Sequence, residues 1–335
     1  MPTSFDDIRA LMADLPQPDT GALKAAETRD AVLTKPPGAL GKLETIARWL
    51  AGWQGHPPRA DKPAILVFAG NHGVTAQGIS AFPADVTHQM VANFESGGAA
   101  INQLARRAGA SLSVTALDLD RPTGDFTQGP AMDEAATVDA FVTGMAAIGE
   151  ADIVIPGDMG IGNTTVSAAL AAALLGGSGA DWAGPGTGLD AAGVSHKAAV
   201  IDRALAFHGD TLKDPLIALA SVGGREQAAI AGAILAARLN RVPVILDGYV
   251  ATASAAVLKQ LRDDALDHCL LGHLSAEHGH GPLAEKLGLD PVLDLGMRLG
   301  EGSGAAVALL TVQAAADCHN GMATFAEAGV SGKSD

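Results

Sequence analysis

Short β-rich runs alternate with helical segments along this 335-residue chain, and that alternation constrains the fold more than any other feature. The runs Ala64–Ala69, Ser111–Leu117, Asp152–Ile155, Val242–Leu246 and Cys269–Gly272 read as strands. Asp85–Ala108, Asp133–Gly149, Thr164–Leu175, Lys197–Phe207, Arg225–Asn240 and Gly248–Leu261 read as helices. Three more helices are expected ahead of the first strand, at Phe5–Ala13, Asp19–Val32 and Gly41–Gln54, with Pro36-Pro37-Gly38 as a break. Short apolar strands separated by helices belong in a parallel sheet covered on both faces. The expected fold class is therefore α/β, with ligands bound beyond the carboxyl ends of the strands.

Composition narrows the function classes. The chain is 48% hydrophobic but only 4% aromatic, so its core is built from Ala, Val, Leu and Ile. Forty-one glycines against 18% charged residues imply many tight loops between buried elements. A net charge of −15 argues against a nucleic-acid partner, whose phosphates need a basic surface. It leaves room for a small anionic substrate, which meets only local donors. Cys269 and Cys318 sit in apolar surroundings without CxxC spacing and read as buried free thiols, in keeping with a reducing cytoplasm. No signal-peptide core and no apolar run of membrane-spanning length is present. A cytoplasmic protein with no membrane partner is expected, with residues 331–335 a disordered tail.

Several loops carry residues suited to chemistry. Ile153-Val-Ile-Pro-Gly-Asp-Met-Gly-Ile-Gly-Asn-Thr-Thr165 runs from a strand through glycines into a helix. Free N–H groups and the helix dipole make such a junction an anion site, although a plain tight turn reads the same way. It is neither a dinucleotide fingerprint nor a Walker A loop. Gly184-Pro-Gly-Thr-Gly-Leu-Asp190, followed by His196-Lys197, is a second glycine loop, and Lys197 is either a phosphate contact or a solvated lysine. His273-Leu-Ser-Ala-Glu-His-Gly-His280 holds three histidines and leaves a metal site open, but its spacing matches neither HExxH nor a zinc-finger pattern. Ser275 at that strand end is the better candidate for a phosphate or ribose contact. Asn71 and His72, after the first strand, read equally as ligand contacts or loop braces.

The most unusual residue is Glu301, set between Gly300 and Gly302 just before the apolar run Val307–Ala316. An anion is favourable at a helix N-terminus, so a capping role is one reading, with Ser303 the better cap by residue type. The other reading is a general base in a pocket floored by glycine.

Taken together these segments resemble one family, the nicotinate-nucleotide–dimethylbenzimidazole phosphoribosyltransferases of cobalamin nucleotide-loop assembly. The resemblance runs from Leu33-Thr-Lys-Pro-Pro-Gly-Ala-Leu-Gly-Lys-Leu-Glu44 to Ala323-Thr-Phe-Ala326. It includes FAGNHGV, FPADVTHQMVANFESGGAAINQLA, GDMGIGNTT, GTGLD with its HK pair, LDGY, HLSAEHGH and RLGEGSGAA. It implies a Rossmann-like parallel sheet flanked by helices and a homodimer. It also implies a small helical domain from residues 1–55 plus about 305–330, beside a large domain at 56–304. The implied reaction joins nicotinate mononucleotide and 5,6-dimethylbenzimidazole, or a related base, giving α-ribazole 5′-phosphate and nicotinate, with no cofactor or metal. Carried over residue by residue, the resemblance makes Glu301 the catalytic base. It makes Gly160, Gly162, Asn163, Thr164, Lys197 and Ser275 contacts of the nucleotide phosphate.

The chemistry suits these residues. The leaving group departs as a neutral pyridine, so no diphosphate charge has to be neutralised. What remains is to take a proton from one benzimidazole nitrogen while the other attacks C1′, which a partly buried carboxylate does well. Gly300 and Gly302 are expected to leave space for a flat bicyclic ring, resting on Phe82 and Met90. Two positions depart from the family pattern: Asp158 stands where Glu is common, and Asn71 where Asp is common. Asp158 remains a candidate contact of ring or ribose with one methylene less reach. These departures motivate an alternative, a non-catalytic paralogue that senses a nucleotide or base. A metal-dependent hydrolase using His273, His278 and His280 is a third.

Overall fold

The computed structural model describes residues 1–331; the expected disordered tail lies, but for Ser331, outside them. Helices α1 (Phe5–Met12), α2 (Thr20–Asp30) and α3 (Lys42–Gln54) precede strand β1 (Pro63–Ala69). Helices α4 (Val86–Ser96) and α5 (Ala100–Ala108) lead to β2 (Ser111–Ala116), and α6 (Glu134–Ala147) to β3 (Ile153–Met159). Five helices follow: α7 (Asn163–Leu175), α8 (Gly179–Trp182), α9 (Ala191–His208), α10 (Pro215–Val222) and α11 (Arg225–Leu239). Strand β4 (Val244–Leu246), α12 (Tyr249–Leu261), β5 (Cys269–His273), α13 (His280–Leu287) and β6 (Pro291–Leu293) come next. The long α14 (Ser303–Gly321) and the short α15 (Phe325–Ala328) complete the order.

All six strands pair in parallel, in the order β2-β1-β3-β4-β5-β6. The strand side chains alternate between two cores, as a period of two requires. Leu66, Phe68, Val154 and Leu246 face the core built with α7, α11 and α12. Ile65, Val67, Ile155 and Ile245 face the other, with Ile46 and Leu50 of α3, Ile101 of α5 and Leu309 and Val312 of α14. On the first side, α6 and α11 meet backbone to backbone. A Cβ on Gly144 would overlap the Ala229 carbonyl, and one on Gly232 the Phe141 carbonyl.

The α/β expectation is met, with local corrections. The single helix expected over Asp85–Ala108 is two, because Gly97 turns left-handed at φ 80° and closes α4. The third strand runs on to Met159, beyond its expected end at Ile155. Its Pro156 has no N–H to give, and the pairing of β3 with β4 is confined to Val154↔Val244. Helix α9 begins at Ala191, two turns before Lys197, because the Asp190 carboxylate caps it by accepting the Gly193 N–H at 2.8 Å. Strand β6 and helices α8, α10, α13 and α15 are additions to the expected elements. Cys269 is buried, but Cys318 is only half-buried.

Candidate active site

The chain leaves β1 on one side for β2 and returns on the other for β3, which makes the β1/β3 boundary the switch point of the sheet. A cavity of about 590 Å³ opens beyond the carboxyl ends of the strands. The end of β3, the loop after it and the first turn of α7 supply Asp158, Gly160, Asn163 and Thr164, the segment after β5 supplies Ser275 and Glu277, and the loop before α14 supplies Arg298, Gly300 and Glu301. Phe82, Val86 and Met90 form one apolar wall. Phe82 and Leu299 remain largely exposed at the mouth, where the Arg298 guanidinium donates to the Gly186 carbonyl at 2.6 Å.

Glu301 lies 4% exposed, and its side chain and backbone are held from several elements. Its Oε2 accepts the Ile101 N–H at 3.3 Å, a bond made possible by the break that starts a fresh helix, α5, opposite it. Its own N–H donates to the Asp158 carbonyl at 3.1 Å. The backbone is left-handed, φ 65°, a conformation L-residues adopt only when surroundings impose it. Gly157 permits that approach, since a Cβ there would stand 2.6 Å from the Glu301 carbonyl group. Burial pushes the Glu301 carboxyl up; the Ile101 N–H opposes this, and the Asp247 carboxylate adds to it.

Capping of α14 falls to neither Glu301 nor Ser303. Asp247, fully buried after β4, accepts the N–H of Gly302 at 3.2 Å and of Ala305 at 2.9 Å. Gly302 does not line the cavity; a Cβ there would press on Ile65 and Ile155 at 3.3 Å. Its expected role as ring space is corrected to packing against the sheet. Gly300 does line the cavity, where a Cβ would stand 3.1 Å from the Asp158 carboxylate.

Asp158 is 6% exposed, and Asn163 Nδ2 donates to its Oδ2 at 2.8 Å. Burial raises its carboxyl well above the ordinary range, and the charges of Asp247, Glu226 and Glu301 push the same way. Lys197 and Gly162 are candidates that do not reach the cavity surface. Lys197 is 1% exposed and donates to Thr164 Oγ1 at 2.8 Å and the Gly184 carbonyl at 3.1 Å. Burial brings its ammonium down to about 8. Gly162, at φ 92°, is the left-handed residue from which α7 springs.

The histidines of the HLSAEHGH segment diverge. His278 is exposed, while the His273 and His280 rings lie 6.3 Å apart. His280 Nδ1 accepts the Ser275 N–H at 2.8 Å and its Nε2 meets Thr252 Oγ1 at 3.0 Å, so it orients Ser275. Burial pulls its imidazole down to about 3. Asn71 is a brace, donating to the Leu119 carbonyl at 3.0 Å, and His72 lies buried 3.2 Å from Glu226; neither lines the cavity. Among the described residues no helix is long and apolar enough to cross a membrane.

Sequence reasoning missed Gly157, Asp247 and Arg298. The Asp-Gly pair at 247–248, directly after a strand and before a helix, was the one available signal for Asp247.

The chain matches known proteins over nearly all of its length. A family described as Phosphoribosyltransferase matches residues 15–330. Nicotinate-nucleotide–dimethylbenzimidazole phosphoribosyltransferase of Rhizobium etli (strain CIAT 652) is 58% identical over 330 residues, 98% of each chain. The protein of the same name from Sinorhizobium medicae (strain WSM419) is 57% identical over the same length and coverage. The crystal structure of that enzyme from Thermus thermophilus superposes with a TM-score of 0.87 at 41% identity, covering 94% of this chain and all of the other. The chain belongs to the phosphoribosyltransferase family that contains these nicotinate-nucleotide–dimethylbenzimidazole enzymes.

Proposed function

We propose that the protein transfers the phosphoribosyl group of nicotinate mononucleotide to 5,6-dimethylbenzimidazole, giving α-ribazole 5′-phosphate and nicotinate. The observation that carries this reading is the buried Glu301 carboxylate, which shares one cavity with the hydroxyl and amide donors of Ser275, Asn163 and Thr164. The nucleotide phosphate belongs at the N-terminus of α7, whose capping residue, Gly162, has no side chain to occupy its N–H groups. Lys197 acts there from beneath, through Thr164. The flat base belongs between the Phe82–Met90 wall and Gly300, with its N–H towards Glu301.

One benzimidazole nitrogen forms the new bond to C1′ as the bond from C1′ to the pyridinium nitrogen breaks. The electron pair of that bond stays on nicotinate, which leaves as a neutral ring. The proton on the other benzimidazole nitrogen passes to Glu301. Attack from the face opposite the leaving group inverts C1′. Holding both substrates in line supplies much of the rate, and the raised basicity of a buried carboxylate supplies the acceptor. Asp158 stands beside the ribose, with burial favouring its protonated form. The enzyme acts as a homodimer in the cytoplasm.

Incubation with nicotinate mononucleotide and 5,6-dimethylbenzimidazole, with products identified by mass spectrometry, is expected to give α-ribazole 5′-phosphate and nicotinate in equal amounts. Absence of both products with intact protein rejects the reading.

A further inference from the structure

Glu301 owes its place to a residue that never meets the cavity. Asp247 is 0% exposed, is absent from the cavity wall, and faces the first turn of α14. Helices normally cap themselves with the side chain of the residue before the first turn. Here that residue is Gly302, left-handed at φ 84° and without a side chain, so the orphan N–H groups of Gly302 and Ala305 are taken by Asp247 across the sheet. The Gly302 N–H belongs to the peptide unit that begins with the Glu301 carbonyl. Glu301 is therefore gripped on one side by the Asp158 carbonyl and on the other by the Asp247 carboxylate. His273 Nε2 stands 3.6 Å behind Asp247 Oδ1, and its ring packs where a Cβ on Gly304 would overlap it.

We infer that Asp247 is a positioning residue for Glu301: it clamps the Glu301–Gly302 peptide at the head of α14. This rests on Glu301 being the base. A left-handed glutamate relaxes readily towards ordinary backbone once one of its two grips is removed. A displacement of about 1 Å at a reacting group is enough for a hundredfold loss of rate. The groups acting on Glu301 are few. Asp247 comes from the end of β4, Asp158 from the end of β3 and the Ile101 N–H from α5; His273 on β5 acts on Asp247, and Glu226 on α11 acts on Asp158. Burial raises the Asp247 carboxyl, and His273 and the N–H groups of Ala305, Gly302 and Gly304 offset part of that rise. In its ionised form Asp247 opposes ionisation of Glu301.

The test compares Asp247→Asn and Asp247→Ser with the wild type and with Glu301→Gln, by steady-state kinetics from acid to neutral pH and by nucleotide titration. Asp247→Asn keeps the shape and one acceptor but loses the charge. It is expected to lower kcat roughly 10–100-fold, to leave nucleotide affinity within about threefold, and to move the acid limb of kcat to lower pH. Asp247→Ser is expected to lose more rate with the same shift. An acid limb that stays in place overturns the inference, as does loss of nucleotide binding along with rate in both variants, which would make Asp247 a prop of the whole sheet. Wild-type rates in both variants overturn it too. If Glu301→Gln is inactive while Asp247→Asn behaves as wild type, only the positioning role fails. If Glu301→Gln is active, the reading beneath it fails.

Discussion

Lys197 lies directly beneath Thr164, its ammonium 2.8 Å from the hydroxyl Oγ1 and buried to 1% exposure. No carboxylate is in salt-bridge contact with it among the described residues; Glu277 acts only at a distance. A buried cation without an ion pair is costly unless a ligand brings the missing charge. The folded ammonium titrates near 8 against an ordinary value of 10.5, so between those values the unfolded chain holds the extra proton and stability rises with pH. Below that window the burial costs on the order of 3 kcal/mol. Lys197→Met is expected to be about 1–3 kcal/mol more stable in denaturant titrations at pH 7 while binding nicotinate mononucleotide at least about tenfold more weakly. A variant that is less stable and binds as tightly as the wild type contradicts this.

Asp158 sits among three other carboxylates, and burial and their charges favour its protonated form. Asparagine imitates a protonated aspartic acid in shape and charge. Asp158→Asn is therefore expected to keep kcat/KM within about tenfold, a difference of about 1.4 kcal/mol. Losses beyond a hundredfold, measured with saturating base, would show that a negative charge is needed at this position.

Glu301 carries a pH signature of its own. Its carboxyl titrates above the ordinary range in the folded state because it is buried. The rate should fall as pH drops through that raised value, since only the ionised form accepts the proton. The sign for stability is the reverse of the usual carboxylate case. The folded state holds the extra proton, so stability is greatest below the unfolded pKa and is lost as pH rises through the folded one. Glu301→Gln is expected to be inactive yet more stable than the wild type near pH 7, with the gap closing towards pH 4. Denaturant titrations of the two proteins at both pH values check this, and a gap that widens in acid would count against it.

The crossing of α6 and α11 depends on two missing side chains. Because a Cβ on Gly144 would overlap the Ala229 carbonyl, Gly144→Ala forces the helices apart rather than filling a void. Overpacking of this kind costs about 1–3 kcal/mol and sometimes more. The melting temperature should fall by several degrees while the Michaelis constants, set in a cavity that neither helix lines, stay near wild type. An unchanged melting temperature would mean the helices already have slack.

Much of the fold and site is legible in the chain because the signals are local. Strand β1 announces itself as seven consecutive buried residues, and the β3–α7 junction by its glycines. Glu301 stands out because a carboxylate between two glycines at the head of an apolar helix is out of place. Helix α10, absent from the expected elements, has a local signal too: Asp214-Pro215 is a cap followed by proline at the first helical position. Other features have no local trace. That Gly157 makes room for the Glu301 backbone, or that Asp247 caps a helix 55 residues further on, depends on which strand ends become neighbours. The depth of Lys197 is hidden for a related reason, since it is set by the loop at Gly184 closing over it.

The antiparallel bridge between Leu33 and Thr324, extended by the bonds from Thr34 to Ala323 and from Phe325 to Val32, ties together two stretches made at opposite ends of synthesis. At about 5–20 residues per second, on the order of half a minute separates their emergence from the ribosome. Until then α3 has no α14 to cover Ile46 and Leu50, and the nucleotide loop has no Glu301 beside it. On the proposed roles of these residues, a nascent or prematurely terminated chain carries phosphate donors with no base to use them. On the proposed role of Glu301, turnover waits for this late segment.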